Sequence, residues 1–210
     1  MDSAFFRGWI DRSAAAIEEQ REHLTELDAA IGDSDHGTNL ARGFTAVLAA
    51  LDEQGELTPG PMLMLVGRTL ISKVGGASGP LYGTAFRRFG QALGDAPTID
   101  LATLAKGFEA ALGGIQALGG AQEGDKTMVD ALTPAVAMLT KSAEDEAALD
   151  DALIAVADAA AEGAEATIPL QARKGRASYL GERSIGHEDP GAASTALLFA
   201  ALRDTAEAAE

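Results

Sequence analysis

Cysteine is absent from the 210 residues. That removes disulfides, thiolate metal sites and cysteine nucleophiles together, and it accords with a reducing compartment. Aromatic residues are scarce, at 5%, and basic residues are outnumbered, with Lys and Arg totalling 16 against 32 Asp and Glu for a formal net charge of −16. A surface of that sign repels DNA, RNA and anionic lipid, because a polyphosphate is normally bound by a cationic patch. A phosphate ligand would have to be held locally, by metal or by backbone amides. No uncharged run reaches the roughly 18 residues of a membrane span. The opening "MDSAFFRGWIDRS" is interrupted by Asp2, Arg7, Asp11 and Arg12, so it carries no apolar signal core. These absences point to the cytoplasm, with neither nucleic acid nor membrane as a partner.

What the chain has is alanine, leucine and a hydrophobic content of 47%, enough to bury a real core. Apolar residues recur at helical spacing, as in Trp9, Ile10, Ile17, Leu24, Leu27 and Ile31. Breakers divide the chain into eight helical stretches, near 3–30, 37–53, 60–73, 78–93, 99–118, 127–141, 146–167 and 191–207. Pro59, Pro97, Pro169 and Pro190 fall near stretch ends, whereas Pro134 should sit in the first turns of its helix or kink it. Segment 144–165 holds acidic residues and no basic one, which reads as a solvated helix face. The expected fold is all-α, an eight-helix up-and-down barrel or bundle, forming a single domain over 1–210.

The helical pattern breaks most sharply at "LDAAIGDSDHGTN", residues 27–39. Gly32 suits a position just past a helix end, placing Asp28 in the last turn, with Asp33 and Asp35 on a short extended link. A helix C-terminus is itself partly negative, so gathering anions there favours a bound cation. Carboxylates without thiolates suit Mg²⁺ or Ca²⁺. An EF-hand started at Asp33 puts Thr38 where the turn glycine belongs and Phe44 where the closing glutamate belongs, so Mg²⁺ is the better choice. The next helix opens near Gly37, Thr38 and Asn39 with free N–H groups, a site for an anion. The plainer alternative is that Asp33 or Asp35 merely caps that helix. His36 taken alone reads as a hydrogen-bonded structural histidine.

Three further breaks follow. In "VGGASGPLYGTAF", residues 74–86, glycines would let the backbone approach a ligand, with Ser78 and neighbouring amides as phosphate contacts; helix–helix turns use glycine too. "GGAQEGDKTMVDAL", residues 119–132, imitates a P-loop, but Asp125 intervenes before Lys126 and no strand precedes it. Asp125 is expected to cap the next helix, and Met128 either joins the core or packs on a flat ligand. "ARKGRASYLGERSIGHEDPGAAS", residues 172–194, is a long non-helical link containing Arg173, Lys174, Arg176 and Arg183, with Tyr179, Leu180 and Ile185 to bury. Arg176, directly after a glycine, is the candidate to meet the charge of a transferring phosphoryl group; a surface salt bridge is the alternative.

Taken in order, "GDSDHGTN", "GGASGPLYGT", "GDKTMVD" and "ARKGRASYLGERSIGHEDPGA" resemble the nucleotide-binding L subunits of bacterial dihydroxyacetone kinases, over nearly the whole chain. The resemblance implies an eight-helix barrel with Mg²⁺ and ADP or ATP at one end. It implies that Asp28, Asp33 and Asp35 hold two Mg²⁺ ions. It also implies that His36, Gly37, Thr38, Asn39, Ala77, Ser78, Gly119, Met128, Arg176, Asp189 and Gly191 line the nucleotide site. In the phosphoenolpyruvate-dependent members, bound ADP is phosphorylated in place by an M-type subunit of the phosphotransferase system. The γ-phosphate then passes to dihydroxyacetone held covalently by a histidine of a K subunit. The resemblance leaves room for contact with a transcription regulator and for a homodimer. Two rival readings stand beside it: the nucleotide part of a ketose kinase acting on erythrulose with exchangeable ATP, and a non-catalytic helical module that senses a nucleotide.

Overall fold

The computed structural model describes residues 1–208 and is helical throughout, with no strand among those residues. Nine α-helices run in order: α1 Ser3–Glu19, α2 Arg21–Ile31, α3 His36–Asp52, α4 Pro59–Lys73, α5 Ser78–Leu93, α6 Leu101–Gly119, α7 Met128–Glu144, α8 Leu149–Glu165 and α9 Pro190–Glu207. A 3₁₀ segment, Arg176–Ser184, lies in the long link before α9. All eight expected stretches are present, and the first is bent into α1 and α2 at Gln20, whose φ of −92° and ψ of 9° leave the helical well. Hydrogen bonding continues across the bend, Gln20 donating to Ala16 and Leu24 donating to Gln20.

Helix neighbours close a ring. α3 packs on α4, and each helix then packs on the next as far as α9; α9 packs on α1, and α1 returns to α3. Eight helices thus form an up-and-down barrel, with α2 extending beyond it against α3 and α9. The backbones of α4 and α5 approach closely where Gly67 and Gly83 face each other; a Cβ on either would meet the other's carbonyl oxygen. The barrel interior is aromatic: Phe6, Trp9, Phe86, Phe89, Phe108 and Phe199 are all buried, with the Phe89 and Phe108 rings 4.5 Å apart. Trp9 Nε1 donates to the Leu198 carbonyl at 2.8 Å, which satisfies the one polar atom it brings into the core. A cavity of about 40 Å³ remains, so this is a filled core.

Two local expectations are corrected. The cap of α7 is Thr127, whose hydroxyl accepts from Val129 N while the Asp130 carboxylate accepts from Thr127 N at 2.7 Å. Asp125 instead accepts from Gln122 N at 2.9 Å, closing a turn one residue pair too early to cap the helix. In the long link, Tyr179 is 88% exposed and Ile185 45% exposed, so neither anchors it. Leu180 does, packing with Ile31, Ala172 and Ala177 beside the end of α2. Pro134 lies inside a continuous α7, and the acidic residues of 144–165 face solvent, apart from a half-buried Asp150.

Candidate functional site

The up-and-down order gives alternate helices the same direction. α3, α5, α7 and α9 therefore all begin at one end of the barrel, and residues from those four N-termini line a single cleft. Each N-terminus presents backbone N–H groups without intrahelical partners and a partial positive charge. The cleft, a cavity of about 190 Å³, also takes in the end of α2 and the Lys174–Ala177 stretch of the long link.

On one wall Asp28, Asp33 and Asp35 converge, with one oxygen of each within 4.8 Å of the other two. Asp28 is buried in the last turn of α2, and its Oδ2 accepts from Asp35 N at 2.8 Å and His36 N at 3.1 Å. Those two bonds fix its orientation. Gly32 makes room for it: a Cβ there would collide with the Asp28 carboxylate. The link is less extended than expected, because Ser34 sits in the left-handed region at φ +63° and turns Asp33 and Asp35 toward Asp28. Asp35 occupies the N-cap position of α3 yet makes no side-chain capping bond, so capping does not consume this carboxylate. Arg176 Nε reaches Asp33 Oδ2 at 2.9 Å, with 70% and 40% of the two side chains exposed. A cation of the chain's own already rests on the cluster. An all-oxygen set with one carboxylate rigidly held and two accessible fits a hard dication.

Behind the carboxylates lies a buried hydroxyl–imidazole chain. His36 Nε2 is 2.8 Å from Ser194 Oγ, and its Nδ1 is 3.2 Å from Ser78 Oγ. Burial holds the imidazole pKa below its ordinary value, against the pull of Asp28 and Asp35. The neutral ring donates at one nitrogen and accepts at the other, which matches one hydroxyl on each side. Tyr82 continues the chain, its hydroxyl 2.7 Å from Ser194 Oγ and 2.9 Å from Thr195 Oγ1. Desolvation pushes the Tyr82 phenol up to about 12, so it stays neutral.

The opposite wall is the start of α9 with the α6–α7 loop. Asp189 caps α9, Oδ2 accepting from Ala192 N at 2.8 Å, and burial pushes its carboxyl up to about 7. Met128 lines the cleft on one side and the barrel interior on the other.

Of the residues singled out in the sequence, Asp28, Asp33, Asp35, His36, Ala77, Ser78, Met128, Arg176, Asp189 and Gly191 meet in this cleft. Four do not line it. Gly37 is buried against the Arg21 carbonyl of α2, and Thr38 is exposed on α3. Asn39 accepts from Arg42 Nη2 at 2.7 Å and abuts Gly75 at the rim. Gly119 ends α6, with Leu81 between it and the cleft. Tyr82, Lys126 and Lys174 line the cleft without having been singled out. All three stand inside the quoted motifs, but nothing in their spacing separates a ligand wall from ordinary packing or a solvated surface.

Residues 30–204 match the family described as the DAK2 domain. The chain is 44% identical to the ADP-binding subunit DhaL of the phosphoenolpyruvate-dependent dihydroxyacetone kinase of Escherichia coli, over 92% of each chain. It is 46% identical to the corresponding subunit of kinase 1 of Listeria innocua, over 94% of this chain and 93% of that one. It is 37% identical to a D-erythrulose kinase of Mycolicibacterium smegmatis, covering 93% of this chain but 34% of that longer protein. Among solved structures, the dihydroxyacetone kinase of C. freundii in complex with AMP-PNP and Mg²⁺ superposes with a TM-score of 0.72 at 31% identity, over 96% of this chain and 34% of that one. The native form gives 0.75 at 30% identity. This chain spans about a third of those structures.

Proposed function

This chain belongs to the DAK2 domain family, and from that membership we propose that it is the nucleotide-binding subunit of a dihydroxyacetone kinase. One observation carries the reading: three convergent carboxylates, Arg176 and four helix N-termini face a single cleft. The cleft answers the question posed by the net charge. An acidic protein holds a polyphosphate here with metal and backbone amides, without a cationic surface. Near-full-length similarity to ADP-binding subunits favours this over the erythrulose kinases, in which the similar stretch is about a third of the protein. The complete carboxylate set with Arg176 favours catalysis over pure sensing.

In this reading the cofactors are ADP or ATP and two Mg²⁺ ions held by Asp28, Asp33 and Asp35. Bound there, the metal would bridge phosphate oxygens and offset charge in phosphoryl transfer. The chain's own groups do the positioning. Asp28 is fixed by two backbone N–H bonds, while Asp33 and Asp35 are accessible. Ser78 and the amides at the start of α5 present donors to phosphate oxygens, and His36, held neutral between Ser78 and Ser194, sets the Ser78 hydroxyl. Arg176, once metal replaces it on Asp33, is free to meet charge developing on the transferred group. Its planar fork suits that role better than a lysine ammonium. Asp189, Gly191 and Met128 form the far wall.

The ADP is phosphorylated in place by an M-type subunit with phosphoenolpyruvate as ultimate donor. The γ-phosphate then passes to dihydroxyacetone on a K subunit, giving dihydroxyacetone phosphate. A transcription regulator and a second copy of the chain are further partners on this reading, which is set in the cytoplasm; no helix of the described residues is long and apolar enough to cross a membrane. The test combines protein, Mg²⁺, ATP and dihydroxyacetone, with and without the K subunit and the phosphoenolpyruvate relay. Product should appear only with the K subunit. Dihydroxyacetone phosphate formed by this chain alone would overturn the subunit reading.

A further inference from the structure

The lysine of "GDKT" takes no part in the chemistry above, yet the fold treats it unlike any other basic residue. Lys126 lies in the loop between α6 and α7 and is 1% exposed. Its backbone adopts φ +62°, in the left-handed region that a residue with a Cβ rarely occupies. Its ammonium donates to the Thr167 carbonyl at 2.5 Å and to the His187 carbonyl. Those carbonyls belong to separate segments, the turn after α8 and the approach to α9.

The same two segments are joined by further bonds. Thr167 Oγ1 accepts from Asp189 N at 2.9 Å and donates to the Ala164 carbonyl at 2.6 Å, and Gly186 N donates to the Ile168 carbonyl at 2.8 Å. Asp130, Asp189 and Glu188 supply negative charge around the ammonium. An ammonium is unfavourable to bury unless it is hydrogen-bonded and its charge is offset; here two carbonyls take two of its three donors, the nearby acids oppose the effect of burial, and desolvation still holds its pKa below the ordinary value. Packing alone would need neither, since a methionine fills similar volume.

We infer that Lys126 is a positioning residue for the nucleotide: its ammonium ties the α6–α7 loop to the His187–Gly191 approach and so sets the start of α9 against the cleft. The inference rests on the reading of the cleft as a nucleotide site. Lys126 acts through Asp189 and Gly191, which face the cleft, and makes no direct bond to the carboxylate cluster.

The experiment is calorimetric titration of Mg²⁺-ADP into the parent protein, Lys126→Met, Lys126→Gln and Lys126→Arg, with circular dichroism and hydrogen exchange on each. Lys126→Met should keep its helicity and bind at least tenfold more weakly. Exchange should rise most over 186–192 and much less over 28–40. A purely structural role would raise exchange across the barrel. Lys126→Arg, keeping charge and donors, should fall between parent and Met. If Lys126→Met does not fold, Lys126→Gln decides: at least threefold weaker binding with parental helicity supports the inference, and binding within twofold of the parent overturns it. A folded Lys126→Met that binds within twofold of the parent overturns the inference alone. A parent protein that does not bind Mg²⁺-ADP overturns the nucleotide reading and this inference with it.

Discussion

The two walls of the cleft handle negative charge in opposite ways. Where α2 gives way to α3, three carboxylates converge, and the only chain cation upon them is an arginine with 70% of its side chain exposed. Across the cleft, Asp130 is buried and Asp189 half-buried near an internal ammonium, Lys126, that is hydrogen-bonded to two backbone carbonyls. The second wall is held by the fold's own hydrogen bonds, with burial keeping the Asp189 carboxyl protonated up to about pH 7, and is therefore architecture. The first is left short of positive charge, and an exposed ion pair such as Asp33–Arg176 contributes only about 0–1 kcal/mol, so it is easily exchanged for a dication. A buried charge that brings its partner holds a shape, whereas an accessible cluster that lacks one is built for a ligand.

The comparison breaks most visibly if the open wall loses its carboxylates. Asp33→Ala or Asp35→Ala should abolish Mg²⁺-dependent nucleotide retention and lower transfer by roughly 10³-fold or more, with helical circular dichroism intact. Metal-free protein should melt no lower than the parent, because like charges have been removed. Full activity in either variant would reduce the cluster to an accident of the link.

Arg176→Ala comes next. Transfer in the reconstituted system should fall on the order of 10³-fold, while Mg²⁺-ADP affinity, read by titration, changes far less. Weaker binding at an unchanged rate would make Arg176 a ground-state contact.

Gly32→Ala tests whether the open wall depends on the geometry of Asp28. A Cβ at Gly32 meets the Asp28 carboxylate, so Asp28 must move or α2 must unwind by a residue. Mg²⁺-ADP should bind about tenfold more weakly, with a smaller loss of thermal stability. Unchanged affinity would remove Asp28 from the metal set.

The closed wall is read through pH. Asp189 has a folded pKa of about 7 against an ordinary 3.8. Between those values the folded chain keeps a proton that the unfolded chain has released, so unfolding free energy falls as pH rises from about 4 to 7, by on the order of 4 kcal/mol. Asp189→Asn, which can still cap α9, should flatten that decline in denaturant titrations of metal-free protein. An identical slope in parent and variant would show that Asp189 is ionised throughout.

Much of this was legible in one dimension. Helical spacing and prolines marked all eight stretches, and the three aspartates around Gly32 marked a cluster of carboxylates that the fold brings together at a helix end. The bend at Gln20 was not legible, since Gln20 neither breaks the periodicity nor lacks an N–H. Asp125 looked like a cap because Asp is a good one, but Thr127 and Asp130 together form a reciprocal pair that a single Asp cannot match. Tyr179 looked like an anchor by its hydrophobicity, yet the small pocket beside Ile31 accepts Leu180.

The sequence by itself determined the helical class, the carboxylate cluster and the link that carries Arg176, because periodicity, side-chain chemistry and breaker residues are local properties. Only the tertiary structure decided that four helices begin at the same end, that His36 lies between two serines from α5 and α9, and that Lys126 is buried between Thr167 and His187. Each of these joins residues about 40 to 160 positions apart. Their proximity follows from closing the ring of helices around an aromatic core, a global solution that no local pattern encodes.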